Sequence, residues 1–217
     1  MTDTADTRCT VVVFARAPEP GKVKTRLISE LGKSGAAALH RRLVAHSLTA
    51  ATQAGIGPVQ LWCAPDTRDP FFGHCGHDFG VSLHSQGDGD LGVRMQRAFE
   101  AVLVRSPRAI LVGSDIPELS AQYLRAAGAE LERFDAVIGP AEDGGYVLIG
   151  LSRCDAGLFR GVPWGGSAVL EQTRLRLAAL SLRASELPPL WDLDRPEDLD
   201  RLPAHALAGS APGRELA

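Results

Sequence analysis

The chain has 217 residues, of which 45% are hydrophobic and 23% charged, with a net charge of −3. This is the composition of an ordinary globular protein, which excludes a disordered chain, a collagen-like fibre and a coiled coil, and it argues against a nucleic-acid-coating protein. No apolar run approaches the ~20 residues of a membrane span, and the polar start carries no apolar signal core, so a cytoplasmic protein is expected.

Residues 1–9 read as a flexible N-terminus, residues 10–202 as a single domain, and residues 203–217, rich in Ala, Gly and Pro, as a disordered tail. Thr10–Ala15 is a β-branched run expected to form a buried strand, and a Pro/Gly-broken loop follows it. Gly35–Ala54 repeats Leu39, Leu43, Leu48 and Ala51 at helical spacing. Val59–Ala64 and Val81–Ser85 are further strands, and Leu91–Val104 carries a helical stripe of Leu91, Met95, Ala98, Phe99 and Val102 behind an Asp90 cap. Ala109–Val112 is a strand, and Ser120–Arg133 a helix with Ser120 as its cap. Asp135–Gly139 and Tyr146–Leu151 are strands flanking a Glu-Asp-Gly-Gly turn. Ser167–Leu180 is helical with Ser167 as a candidate cap, Pro189–Asp194 a last strand, and Arg195–Arg201 a short helix with Pro196 near its first position. This alternation predicts an α/β fold, a three-layer α/β/α sandwich around a mostly parallel sheet. Ligands in such folds sit beyond the carboxyl ends of the strands, so the loops after strands are where function is sought.

The first such loop runs from Arg16 to Arg26 and holds Arg16, Lys22, Lys24 and Arg26 against one acid, Glu19. Lys supplies point charges and Arg supplies forks for phosphate oxygens, while Gly21 lets backbone approach a ligand. The second is Gly113-Ser114-Asp115-Ile116-Pro117, where a carboxylate at a strand end can hold a divalent ion beside a phosphate. In the third, Trp191-Asp192-Leu193-Asp194, alternation places Asp192 and Asp194 on one face, where a cation would relieve their repulsion. Asp194 is also a candidate cap for the helix that follows it. Asp88 and Arg94, in and just after a Gly/Asp loop, are candidates to contact a base, sugar or phosphate. Asp143, with Glu142 second, can reach an acceptor, and Pro163-Trp164-Gly165-Gly166-Ser167 can shape a second pocket.

The cysteines, Cys9, Cys63, Cys75 and Cys154, form no CxxC pair and suit a reducing compartment. His74-Cys75-Gly76-His77, with Cys63 upstream, offers zinc-ligand types at a spacing that fits no common zinc module, and reads as a polar surface loop.

Six segments in order, FARAPEPGKVKTRL, QGDGDLGVRM, LVGSDIPEL, GPAEDGGYVLIGL, PWGGSAVLEQT and WDLDRPEDLDRL, span about Thr10 to Leu202. Together they resemble a bacterial family of GT-A-fold proteins classed as glycosyltransferases, of the selenodomain-associated or arsenosugar-biosynthesis type. More distantly the chain resembles phospholactate guanylyltransferases and molybdenum-cofactor nucleotidyltransferases. The resemblance implies a nucleotide-diphospho-sugar transferase fold, with Asp115 and an Asp of the closing motif, Asp192 or Asp194, holding Mg2+ or Mn2+. It implies nucleotide phosphates on Arg16, Lys22, Lys24 and Arg26. Two departures stand out: the first loop lacks the LxxGxGxRxG form, and Gly-Ser-Asp is one acid short of Asp-x-Asp.

Three functions remain open at this point. One is metal-dependent transfer from a nucleotide-diphosphate sugar to a small-molecule acceptor, with Asp115 and Asp143 catalytic. Another is nucleotidyl transfer from a nucleoside triphosphate to a phosphorylated acceptor, with release of pyrophosphate. The third is a nucleotide-binding module without catalysis. None calls for a nucleic-acid or membrane partner.

Overall fold

The structure is a computed structural model, and it describes residues 9–202. The expected flexible start and disordered tail therefore lie, but for Cys9, outside the described residues.

Seven strands form one sheet: β1 (Cys9–Arg16), β2 (Val59–Ala64), β3 (Ser82–Ser85), β4 (Arg108–Val112), β5 (Ala136–Pro140), β6 (Tyr146–Leu151) and β7 (Ala184–Glu186). Their spatial order is β3-β2-β1-β4-β6-β5-β7. The pairs β1–β2, β1–β4, β2–β3 and β5–β7 are parallel, and only β6 runs against its neighbours β4 and β5. The helices are α1 (Ile28–Ala54), α2 (Pro70–Phe79), α3 (Leu91–Leu103), α4 (Ala121–Glu130) and α5 (Val169–Ala179).

Strand alternation sends side chains to opposite faces. From β1, Val11, Val13 and Ala15 enter a core shared with Val44 and Leu48 of α1, Phe71 and Phe72 of α2, and Leu124 and Ala127 of α4. Val12 and Phe14 enter the opposite core, with Met95 and Phe99 of α3 and Leu170 and Leu177 of α5. The sandwich thus has three layers. A third, smaller cluster joins Leu27, Leu39 and Leu43 to Trp191 and Leu193. It fastens the closing segment to the root of the first loop.

The order reverses between β1 and β4. From β1 the chain moves to β2 and β3 on one side, while β4 pairs with β1 on the other. This is a topological switch point, where the loops leaving two neighbouring parallel strands diverge and open a crevice. The basic loop leaves β1 there, and Gly113-Ser114-Asp115 leaves β4. Because β6 is antiparallel to β4, with Val112 beside Leu148, the turn before Tyr146 arrives at the same end.

Most expected elements are present, and the caps at Asp90 and Ser120 accept from Val93 N and Tyr123 N. Four expectations need correction. His74–His77 is not a loop: it lies in α2, where Asp69 caps Phe71 N and Pro70 takes the first turn, so Cys75 is buried against the core. Pro189–Asp194 is not a strand; Leu190 makes one isolated bridge to Ala141, and the edge position is taken by β7. Pro188 and Pro189 supply no ladder N–H, which suits an extended segment better than a strand. Ser167 is not the cap of α5, whose N-cap is Ala168. Nor does Asp194 cap the closing 3-10 turn Pro196–Arg201; there the Asp198 carboxylate accepts from the Asp194 and Arg195 amides.

Candidate active site

Two adjoining cavities open at the switch point. The larger, about 510 Å³, is lined by Arg16, Lys22, Lys24, Arg26, His40, Gln86, Arg94, Ser114, Asp115 and Asp194 among others. The second, about 300 Å³, is lined by Asp115, Asp143, Tyr146, Trp164 and Asp192 among others. Asp115 belongs to both and marks the boundary.

The basic loop is held open by its own geometry. Gly21 has φ +85°, and Lys24 adopts the left-handed conformation at φ 47°, ψ 42°, unusual for a residue with a Cβ. Lys24 stands before the 3-10 turn Thr25–Leu27, and its side chain is only 3% exposed. Its Nζ lies 2.8 Å from Asp115 Oδ1 and donates to the Leu193 carbonyl. His40, from α1, accompanies it: its ring hydrogen-bonds the Arg16 carbonyl through Nε2 at 3.0 Å, and Nδ1 lies 3.7 Å from Asp115 Oδ1. Burial works to raise the Asp115 carboxyl, but Lys24 and His40 outweigh it and bring it down to about 2. The backbone is tied in as well, Leu193 N donating to Asp115 O at 2.8 Å.

The remaining cations differ in availability. Lys22 pairs with Glu19 at the surface, and Arg26 pairs with Asp194. Arg94 donates to Gln86 Oε1, and Gln86 in turn donates to the Ala15 and Trp62 carbonyls, which fixes the guanidinium over the crevice. Burial and then the nearby Arg16 lower the Arg94 pKa. Arg16 and Arg94 line the same cavity, and neither is in an ion pair with a carboxylate among the described residues, which leaves both available to an anion.

In the second cavity, Asp143 Oδ1 accepts from Gly145 N at 2.9 Å in an Asx turn, and the residue is exposed. Burial raises the Asp192 carboxyl, and the charges of Asp143 and Asp194 raise it further. Tyr146 and Trp164 meet edge to face with centroids 6.4 Å apart. Trp164 is seated against α3 at Gly92, where a Cβ would stand 2.6 Å from its Nε1.

The expected residues Arg16, Lys22, Lys24, Arg26, Arg94, Asp115 and Asp194 all line the first cavity, and Asp143, Asp192 and Asp115 the second. Gly21 shapes the loop without lining either. Asp88 lies outside both; its carbonyl accepts from Arg97. His40 lies on the buried face of α1 and Gln86 in the loop after β3, and neither residue type carries a signal for this site in the sequence.

The carboxylates of the two cavities bear on whether a divalent ion fits there. Asp115 Oδ1 is buried and makes no aligned hydrogen bond, and Asp192 is crowded by two other carboxylates. Among the described residues, however, no group of three or more His, Cys, Asp or Glu side chains could hold a metal by itself. This set fits an ion that takes one or two carboxylates and completes its shell with phosphate oxygens and water, as Mg2+ does.

The family described as "Uncharacterized protein conserved in bacteria" (DUF2064) matches residues 47–166, and the chain belongs to it. No curated protein matches the chain significantly. Among solved structures, a Desulfovibrio desulfuricans protein provisionally described as a nucleotide-diphospho-sugar transferase is 33% identical, with TM-score 0.78, 86% of this chain and 82% of that one covered. A nucleotidyl transferase from Methanothermobacter aligns at 18% identity and TM-score 0.62 over 93% and 98% of the two chains. Glucosyl-3-phosphoglycerate synthase from Mycobacterium tuberculosis, solved with Mn2+, UDP and glucosyl-3-phosphoglycerate, aligns at 13% identity and TM-score 0.52 over 92% and 76%. The fold is that of the nucleotide-diphospho-sugar transferases, GT-A in type.

Proposed function

We propose that the protein is a metal-dependent transferase that takes a nucleotide-activated donor, a nucleotide-diphosphate sugar, and passes its sugar to a small-molecule acceptor. The observation that carries this reading is that Arg16 and Arg94 line one cavity at the switch point, neither in an ion pair among the described residues, with Asp115 in the same lining. The phosphates would lie on Arg16, Arg94 and the loop of Lys22 to Arg26. Lys24 would hold Asp115 in place from behind. Bound Mg2+ or Mn2+, on Asp115 and Asp192, would neutralise phosphate charge as the leaving group departs. Asp194 is committed to Arg26 and serves the loop.

In the second cavity the Asp143 carboxylate would take the proton of an acceptor hydroxyl. That hydroxyl forms a bond to the sugar's anomeric carbon. The bond from this carbon to the nucleoside diphosphate breaks, and the diphosphate keeps the electron pair. The free cysteines, none paired among the described residues, suit the cytoplasm. No helix in the described residues is long and apolar enough to cross a membrane.

Nucleotidyl transfer is the competing reading, favoured by the number of cations in the first loop. The test is a turnover screen. Nucleotide sugars with Mg2+ or Mn2+ and an acceptor pool should release UDP or GDP; release of pyrophosphate from nucleoside triphosphates instead would establish the competitor. Binding of nucleotide without either product in any combination would leave a binding module.

A further inference from the structure

The second cavity differs from the first in one respect that bears on the acceptor. Its lining contains three carboxylates, Asp115, Asp143 and Asp192, and no Lys, Arg or His. Its remaining wall is apolar or aromatic, with Ile116, Val147, Tyr146 and Trp164. A third cavity of about 560 Å³ adjoins it, sharing Asp143, Gly165 and Asp192, and there Arg26, Arg195 and Arg201 join the lining. Of these, Arg26 is paired with Asp194, while Arg201 is bound bidentately to Glu142 and lies 4.4 Å over the Trp191 ring. That third cavity also carries Glu142, Asp143, Asp192, Asp194 and Asp198, so acids outnumber bases there too.

We propose that this cavity selects an uncharged, hydroxyl-bearing acceptor of the sugar or polyol class and rejects phosphate monoesters. The inference rests on the reading that nucleotide phosphates occupy the basic half, and it deepens that reading by naming the acceptor chemistry. A phosphate dianion placed here would meet the Asp143 carboxylate with no Lys, Arg or His in the lining, and a divalent ion on Asp115 and Asp192 would already be taken up by those carboxylates and the donor phosphates. A polyol satisfies the Asp143 carboxylate by donating a hydroxyl proton, and the apolar face of a sugar ring packs on Tyr146 and Trp164. The charge layout therefore divides the crevice: polyphosphate on the Arg16–Arg94 side, neutral polyol on the Asp143–Asp192 side.

The test is ligand-observed saturation-transfer NMR on the full chain with matched pairs: glycerol and glycerol 3-phosphate, ribose and ribose 5-phosphate, glucose and glucose 6-phosphate. The proposal expects at least one unphosphorylated member to receive about tenfold more saturation than its phosphate ester. Trp164→Ala should abolish that contact. Asp143→Lys, which adds a cation at an exposed turn and spares the core, should reverse the preference. Equal or stronger contact to the phosphate esters in the unaltered protein overturns the proposal, as does absence of contact to every compound. A parallel titration with UDP reports on the basic half alone. Loss there with polyol contact intact would sink the proposed function and not this assignment; the reverse pattern would sink this assignment and not the function.

Discussion

Three strands, β2, β3 and β4, lie between Lys24 and Asp115 in the chain, yet the Lys24 ammonium sits 2.8 Å from Asp115 Oδ1 and also donates to the Leu193 carbonyl. One side chain thus ties together the loop after β1, the loop after β4 and the closing segment. Asp115→Asn should leave that ammonium buried without a counter-charge. Breaking a fully buried pair costs about 3–5 kcal/mol; Asp115 is 44% exposed, so a loss of about 2 kcal/mol is expected in denaturant unfolding. Adding Lys24→Met to it should recover part of the loss, and strictly additive effects would show that the two groups are uncoupled.

The same pair sets an acid limit. The Asp115 carboxyl is held down at about 2, below its ordinary 3.8. A depressed carboxyl contributes stability above its unfolded pKa and loses it as pH falls through the folded one. Stability should therefore drop between about pH 4 and pH 2 with a component that Asp115→Asn removes. Unfolding curves at stepped pH for the two proteins measure it.

Nucleotide affinity should follow cation availability and not cation count. Arg16→Ala and Arg94→Ala should each weaken UDP binding about tenfold or more, by calorimetry at fixed salt. Lys22, tied to Glu19 and 72% exposed, should matter far less. Equal effects from all three would show that the loop acts only as a diffuse charge.

Asp143→Asn should lower kcat about 100-fold or more with little change in acceptor KM, since the amide can accept from a hydroxyl but cannot take its proton. A change confined to KM would make Asp143 a binding group.

Gly92 lies where α3 meets Trp164. A Cβ there would stand 2.6 Å from Trp164 Nε1 and 2.7 Å from the Phe159 carbonyl. Gly92→Ala should displace the indole and cost about 1–3 kcal/mol. It should weaken acceptor binding while UDP binding, 16–94 side of the crevice, stays unchanged, as paired titrations would show.

The legible parts of the fold were those with a strong period. The β-branched run of β1 and the stripe of α3 state their structure locally, and loops after strands point to the cavities without any tertiary information. α2 was hidden because Gly73 and Gly76 interrupt its pattern, although Asp69-Pro70 is a legible start signal. β7 is short, with a single parallel partner, and nothing in three residues announces it. Within the site, the charged loops were legible as chemistry. Their pairing was not: whether Arg26 meets phosphate or Asp194 is decided by how the closing segment crosses the loop. His40 carries no local signal, since a histidine inside an apolar helical face looks like any core position.

The small cluster of Leu27, Leu39, Leu43, Trp191 and Leu193 has a temporal consequence. During synthesis every strand of the sheet, together with the basic loop and Asp115, emerges from the ribosome before Trp191 does. The nascent protein can assemble its sheet while Lys24 still lacks the Leu193 carbonyl and the crevice still lacks Asp192. Docking of the closing segment onto α1 then brings the Leu193 carbonyl to Lys24 and Asp192 to the crevice.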